Sequence, residues 1–138
     1  MPKFAASLCL AGALLACAAG ARAESLEQIR RGFAQMVYED AGPDINHGAP
    51  QPLLRAVVVL RVKLDEVGRW TAEVIRENNE QPELTHKALA SVAHLQKSLE
   101  VSAATAEQLR REGFMEVWLF QNDGRFALKT LALPQRGV

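Results

Sequence analysis

Cysteine is scarce in this chain: there are two, Cys9 and Cys17, and both fall in its first segment. The rest of the sequence can hold no disulfide framework, so a small fold must rest on its apolar core. An excess of one charge is also lacking. Sixteen basic residues face sixteen acidic ones, and nothing marks a nucleic-acid groove or a polybasic membrane patch. The longest uncharged apolar run, residues 4–19, falls short of the roughly 20 residues of a comfortable membrane-spanning helix. There is no Cys-x-x-Cys pair, no phosphate-cradling glycine loop and no nucleophile elbow.

The chemistry-bearing residues are few and scattered. His47 lies in a Pro/Gly-rich loop. His86 and His94 are eight apart on a predicted helix, about 80° around its axis, whereas metal-binding pairs favour i, i+4 on one face. No metal or cofactor is expected. Asp65, Glu66, Glu73 and Glu77 sit at a turn and along one strand face, which reads as a solvated face; paired carboxylates need an enclosed, pKa-shifting site to work as acid and base. Ser91, Ser98 and Ser102 lie on or beyond a helix without a partner base. The expectation is a protein without catalytic residues.

What is present begins with a sorting signal. Met1-Pro2-Lys3 is a short basic start, an apolar stretch follows, and Ala21-Arg22-Ala23 forms an A-x-A site before Glu24. Residues 1–23 read as a secretory signal peptide. Leu14-Leu15-Ala16-Cys17 within it resembles a lipoprotein box, so lipidation at Cys17 is the alternative to cleavage after Ala23. The expected location is the periplasm, with a membrane-anchored lipoprotein as the alternative.

Residues 24–52 carry an N-terminal helix and a loop. Ser25-Leu26-Glu27-Gln28 is a capping box. Leu26, Ile29, Phe33, Met36 and Val37 recur at helical spacing, which predicts an amphipathic helix over 26–38. Residues 41–52 hold three of the six prolines and read as its loop.

The stretch 53–77 is the centre of the pattern. Ala56, Val58, Leu60, Val62 and Leu64 alternate with residues that become polar at Arg61 and Lys63, the period of a half-buried strand. Asp65-x-x-Gly68 supplies a turn, and Trp70, Ala72 and Val74 begin a second alternation. The pair reads as a β-hairpin. Pro82 then opens a helix with Leu84, Ala88, Val92, Leu95 and Leu99 on one stripe, expected to pack on the sheet. Thr105-Ala106-Glu107-Gln108 reads as a second capping box, opening a short helix anchored by Leu109 and ended by Gly113. Residues 114–120 read as a strand, Asn122-Asp123-Gly124 as a turn, and 125–133 as a last strand before a tail, 134–138. The strand at 114–120 is apolar on both faces, which predicts a cover on each, with the N-terminal helix as the second. The fold class expected is α+β: a small antiparallel sheet with an amphipathic helix packed on one face, plus the N-terminal helix.

The order hairpin, helix, strand resembles the C-terminal domain of TonB-type energy transducers. Val57 to Val74, with Val-x-Leu-x-Val-x-Leu-Asp-x-x-Gly-Arg, carries the likeness, followed by Gln81-Pro82-Glu83-Leu84 and Ala88-Leu89-x-x-Val92. It covers about residues 53–133. The resemblance implies a periplasmic module that binds a protein by adding an extended segment to a sheet edge. In that family the segment belongs to an outer-membrane transporter, and a membrane anchor and long Pro-rich spacer deliver force. Here the apolar segment reads as cleavable or lipidated, and the spacer is short. A protein partner, either a transporter or a second copy, is expected; the alternative is a structural or assembly protein of the envelope, anchored as a lipoprotein at Cys17. Trp118, Phe120 and Trp70 are the residues that would shape selectivity if they lie in a groove beside the edge; the competing reading places them in the core.

Overall fold

The structure is a computed structural model that describes residues 25–96 and 100–134. Residues 1–24, with the expected signal segment and Cys17, as well as Ser98, Leu99 and residues 135–138 of the tail, lie outside the described residues. Among the described residues, three helices and one four-stranded antiparallel sheet make an α+β fold. In chain order the elements are α1 (Leu26–Ala41), a 3₁₀ turn (Gly42–Asp44), β1 (Ala56–Leu64), β2 (Trp70–Arg76), α2 (Pro82–Ala93), α3 (Ala103–Arg111), β3 (Phe114–Phe120) and β4 (Phe126–Leu128). No helix among the described residues is long and apolar enough to cross a membrane.

The strands lie in the order β2-β1-β3-β4. The hairpin forms as its alternation predicts. Asp65 Oδ1 accepts from Val67 N at 2.9 Å and Arg69 N at 2.8 Å, and Gly68 takes the positive φ of 84° that closes the turn. Ala56, Val58, Leu60, Val62 and Leu64 are buried, and Leu64 pairs with Trp70 and Leu60 with Val74. The register slips between Val59 and Leu60, leaving a bulge at Ile75 on β2.

Both long helices pack on that same face. The Phe33 ring of α1 stands edge-on to Trp70, Phe114 and Trp118 at centroid distances of 5.1, 5.4 and 6.4 Å. From α2, Leu84, Ala88 and Val92 are buried, and Ser91 Oγ accepts a hydrogen bond from Trp118 Nε1 at 3.0 Å. Trp118, with no exposed surface, is thus held between the two helices. This corrects the expectation that α1 covers the second face of β3. Met115 is 48% exposed there, and Val117 and Leu119 are half-buried. Its apolar character is simply left at the surface, as much apolar area is on any folded protein.

Three boundaries also differ. α1 continues to Ala41, where the Gly42 N–H donates to Tyr38 O and φ turns positive. α2 stops at Ala93; Leu95 N bonds Val92 O in a tightened last turn, and Leu95 still packs partly buried on the core. α3 begins two residues before the predicted Thr105 cap. Ser102 is the cap, accepting from Thr105 N at 3.2 Å. Leu109 is its buried anchor, as expected.

The last strand is far shorter than 125–133, for a reason visible in its hydrogen bonds. Leu128 O accepts from both Leu131 N and Ala132 N, at 3.0 and 2.8 Å, so the chain curls away after three strand residues. The Glu116 carboxylate receives the freed groups: Val117 N at 2.9 Å, Thr130 N at 3.4 Å and the Thr130 hydroxyl.

Candidate functional site

An antiparallel strand points the N–H and C=O of alternate residues to opposite sides. The two outer edges of this sheet can therefore be read residue by residue. On β4, Ala127 pairs with Leu119 of β3, and Gln121 and Lys129 bond Arg125 O and Val117 O on either side. Phe126 and Leu128 therefore face outward. Phe126 O accepts from Asn46 N at 2.8 Å, and Ile45 forms a parallel bridge with Phe126. Leu128 N donates to the Tyr38 hydroxyl oxygen at 3.1 Å, and Leu128 O is taken by the following turn. The chain itself has closed this edge. The loop 42–52, Tyr38 of α1 and the turn after β4 do this together, and Ile45 and Asn46 within the loop are buried. Burial and the Leu128 hydrogen bond act on the Tyr38 hydroxyl in opposite senses, and burial prevails, raising its pKa above the ordinary value.

The edge at β2 is different. Asp65 N donates to Arg69 O at 2.9 Å, which sets the phase of the ladder. Thr71 and Glu73 then bond inward to Lys63 and Arg61. Trp70, Ala72 and Val74 direct their backbone groups outward, and no described residue bonds to them. Around this free row Thr71, Glu73, Val74, Ile75 and Arg76 are exposed. Arg61 Nε stands 3.7 Å from Glu73 Oε1. Exposed charges on an edge strand are the usual guard against indiscriminate sheet pairing.

Of the two readings of the strand-borne aromatics, the structure bears out the core and not the groove. Trp118 and Phe120 have no exposure and Trp70 has 4%. All three point to the helix-covered face, so their side chains build the core and offer no groove to a guest. Trp70 is nonetheless on the free edge by its backbone.

The remaining candidates stay apart. His47 lies exposed beside Tyr38, and His86 and His94 are exposed on α2 and at its end. No cluster of three metal-ligating side chains occurs among the described residues. Asp65 serves the turn, and Glu66, Glu73 and Glu77 are exposed. Ser91 is spent on Ala88 O and the Trp118 indole.

Sequence reasoning passed over Glu116. It occupies a core position in the alternation Phe114, Glu116, Trp118, Phe120 and is 2% exposed. A charged residue in a buried register is the signal that could have found it. It borders a cleft of about 470 Å³ with Arg30, Lys129 and Thr130. Burial pushes its carboxyl above the ordinary 4.5, against the opposing pull of the Thr130 and Val117 hydrogen bonds and the Arg30 charge. Every oxygen contact it makes ends the β3–β4 pairing, so its evident work is structural.

Comparison with protein-family models, with curated proteins and with solved structures gives no match for this chain.

Proposed function

We propose that this protein is an exported, non-catalytic binding module that accepts an extended protein segment alongside β2. One observation carries the reading. Of the two sheet edges, β4 is consumed by the loop 42–52, Tyr38 and the following turn, whereas Trp70, Ala72 and Val74 leave a row of backbone donors and acceptors that no described residue uses. Such a row is a template for β-strand addition, in which main-chain hydrogen bonds supply affinity and flanking side chains supply choice. Because Trp70, Trp118 and Phe120 are buried, the flanking side chains are instead Arg69, Thr71, Glu73 and Ile75.

The likeness to the TonB C-terminal domain supports the same mode of binding. It contributes a class of interaction, and a link to outer-membrane transport belongs to the proposal with it. The signal-like segment 1–23 supports export.

The test is photo-crosslinking in cells from a reactive residue placed at Thr71 or Glu73. A discrete adduct is expected, and it should disappear when Ala72→Pro removes the central outward N–H. An adduct that persists in that variant, or that forms only from a probe at exposed His86 on α2, would refute the reading.

A further inference from the structure

The side chains along β2 are arranged so that this strand complements itself. Edge-facing residues must oppose edge-facing residues, which leaves a short series of antiparallel registers for two copies. The bulge at Ile75 breaks the regular row just beyond Val74, so registers that rely on Val74 are disfavoured. One of these sets Glu73 against Glu73 and adds repulsion.

The register that centres on Thr71 is the one that matches. Trp70 of each copy then exchanges both backbone bonds with Ala72 of the other. On the solvent face Thr71 meets Thr71 at the two-fold axis, and Arg69 meets Glu73 on both sides of it. Arg69 is exposed and forms no ion pair with any described residue. Glu73 is exposed and is approached by Arg61 from one side only. Further out, the tail of one strand meets the head of the other. Ile75, 48% exposed, and Val67, 75% exposed, are the large apolar residues at those two ends. A closed two-fold contact needs this kind of self-matching patch.

We infer that the chain forms a symmetric dimer through β2, joining two sheets into one, with Thr71 on the axis and Arg69 paired with Glu73 of the second copy. This rests on the reading of β2 as the accepting edge and names a second copy as its occupant. The strip is short against the roughly 1,600 Å² of a standard interface, so the dimer is weak and concentration-dependent.

Sedimentation of the chain in the processed form that cells produce tests this. A reversible monomer–dimer equilibrium is expected. Arg69→Glu should weaken it roughly tenfold or more, by replacing two attractive pairs with two repulsive ones. Arg69→Glu combined with Glu73→Arg should restore it. Thr71→Cys should oxidise to a disulfide between like residues, since non-hydrogen-bonded partners lie about 4.5 Å apart at Cα, and peptide mapping would locate the bond. A chain that stays monomeric at millimolar concentration, or a dimer indifferent to the charge exchange and to Thr71→Cys, overturns the inference. If the monomeric chain still yields an adduct with a different protein at Thr71 that Ala72→Pro abolishes, the dimer is refuted and the accepting edge stands. Loss of both refutes the edge.

Discussion

Two neighbouring prolines should have opposite consequences. Thr71 and Ala72 are adjacent in β2, but their N–H groups point to opposite sides. Thr71→Pro removes a ladder bond to Lys63, leaves a strand carbonyl without its donor, and drives the ring toward β1. The Thr71 hydroxyl contact with Lys63 O, at 3.4 Å, is lost as well. A lost net hydrogen bond is worth about 1 kcal/mol and an abandoned acceptor about 1–3 kcal/mol, so the total is about 3 kcal/mol before steric strain. Ala72→Pro removes an N–H that no described residue accepts. The residue before it is already extended, as proline requires, and edge strands tolerate proline. Its cost should stay within about 1 kcal/mol, mostly from fitting the larger ring beside half-buried Ala72. Urea titrations followed by far-UV circular dichroism, at concentrations where the chain is monomeric, would measure both. Equal destabilisation by the two substitutions would show that the Ala72 N–H has a partner and that β2 is not the open edge.

Val92 on α2 is 1% exposed, so Val92→Asp should abolish a cooperative thermal transition by burying a carboxylate without a partner. Gly113 has a φ of 62°, and a Cβ there would sit 2.0 Å from the Val62 carbonyl oxygen; Gly113→Ala should cost upward of about 2 kcal/mol in a denaturant titration. Burial raises the Glu116 pKa above its ordinary value in the folded chain. Its contribution is therefore fully present below about pH 4.5 and is lost as pH rises through the higher folded value. Glu116→Gln keeps the acceptor for Val117 and removes the charge, so the stability gap between variant and parent should grow in the variant's favour as pH rises over that window. A gap that stays flat with pH would assign the burial cost of Glu116 to something other than its charge.

Much of the architecture could be read before the coordinates. The hairpin was legible because alternation over Ala56–Leu64 and an Asp-x-x-Gly turn act at short range, and local chemistry decides both. The stripes Ile29, Phe33, Val37 and Leu84, Ala88, Val92 likewise declared which sides are buried. The helices' shared face was not legible. Two apolar faces on β3 are compatible with one cover or two, and only packing decides. The length of β4 escaped for a similar reason, since it is set by Leu128 O and the Glu116 carboxylate, groups remote in sequence from the strand's own pattern. The free edge was the least accessible feature. It depends on which strands lie outermost and on a loop-borne Ile45 and a helix-borne Tyr38 closing the other side. Trp118 and Phe120 follow the core reading of strand-borne aromatics, since alternation puts them on the same face as Phe114, which α1 covers.

Residue-resolved amide hydrogen exchange in the monomeric chain asks most directly whether β2 is the open edge. Slow exchange is expected at Thr71 and Glu73, which bond inward, and at Leu128, which bonds to Tyr38, with fast exchange at Ala72 and Val74. Ala72 and Val74 protected to the same degree as Thr71 and Glu73, or Leu128 exchanging as fast as they do, would contradict the account.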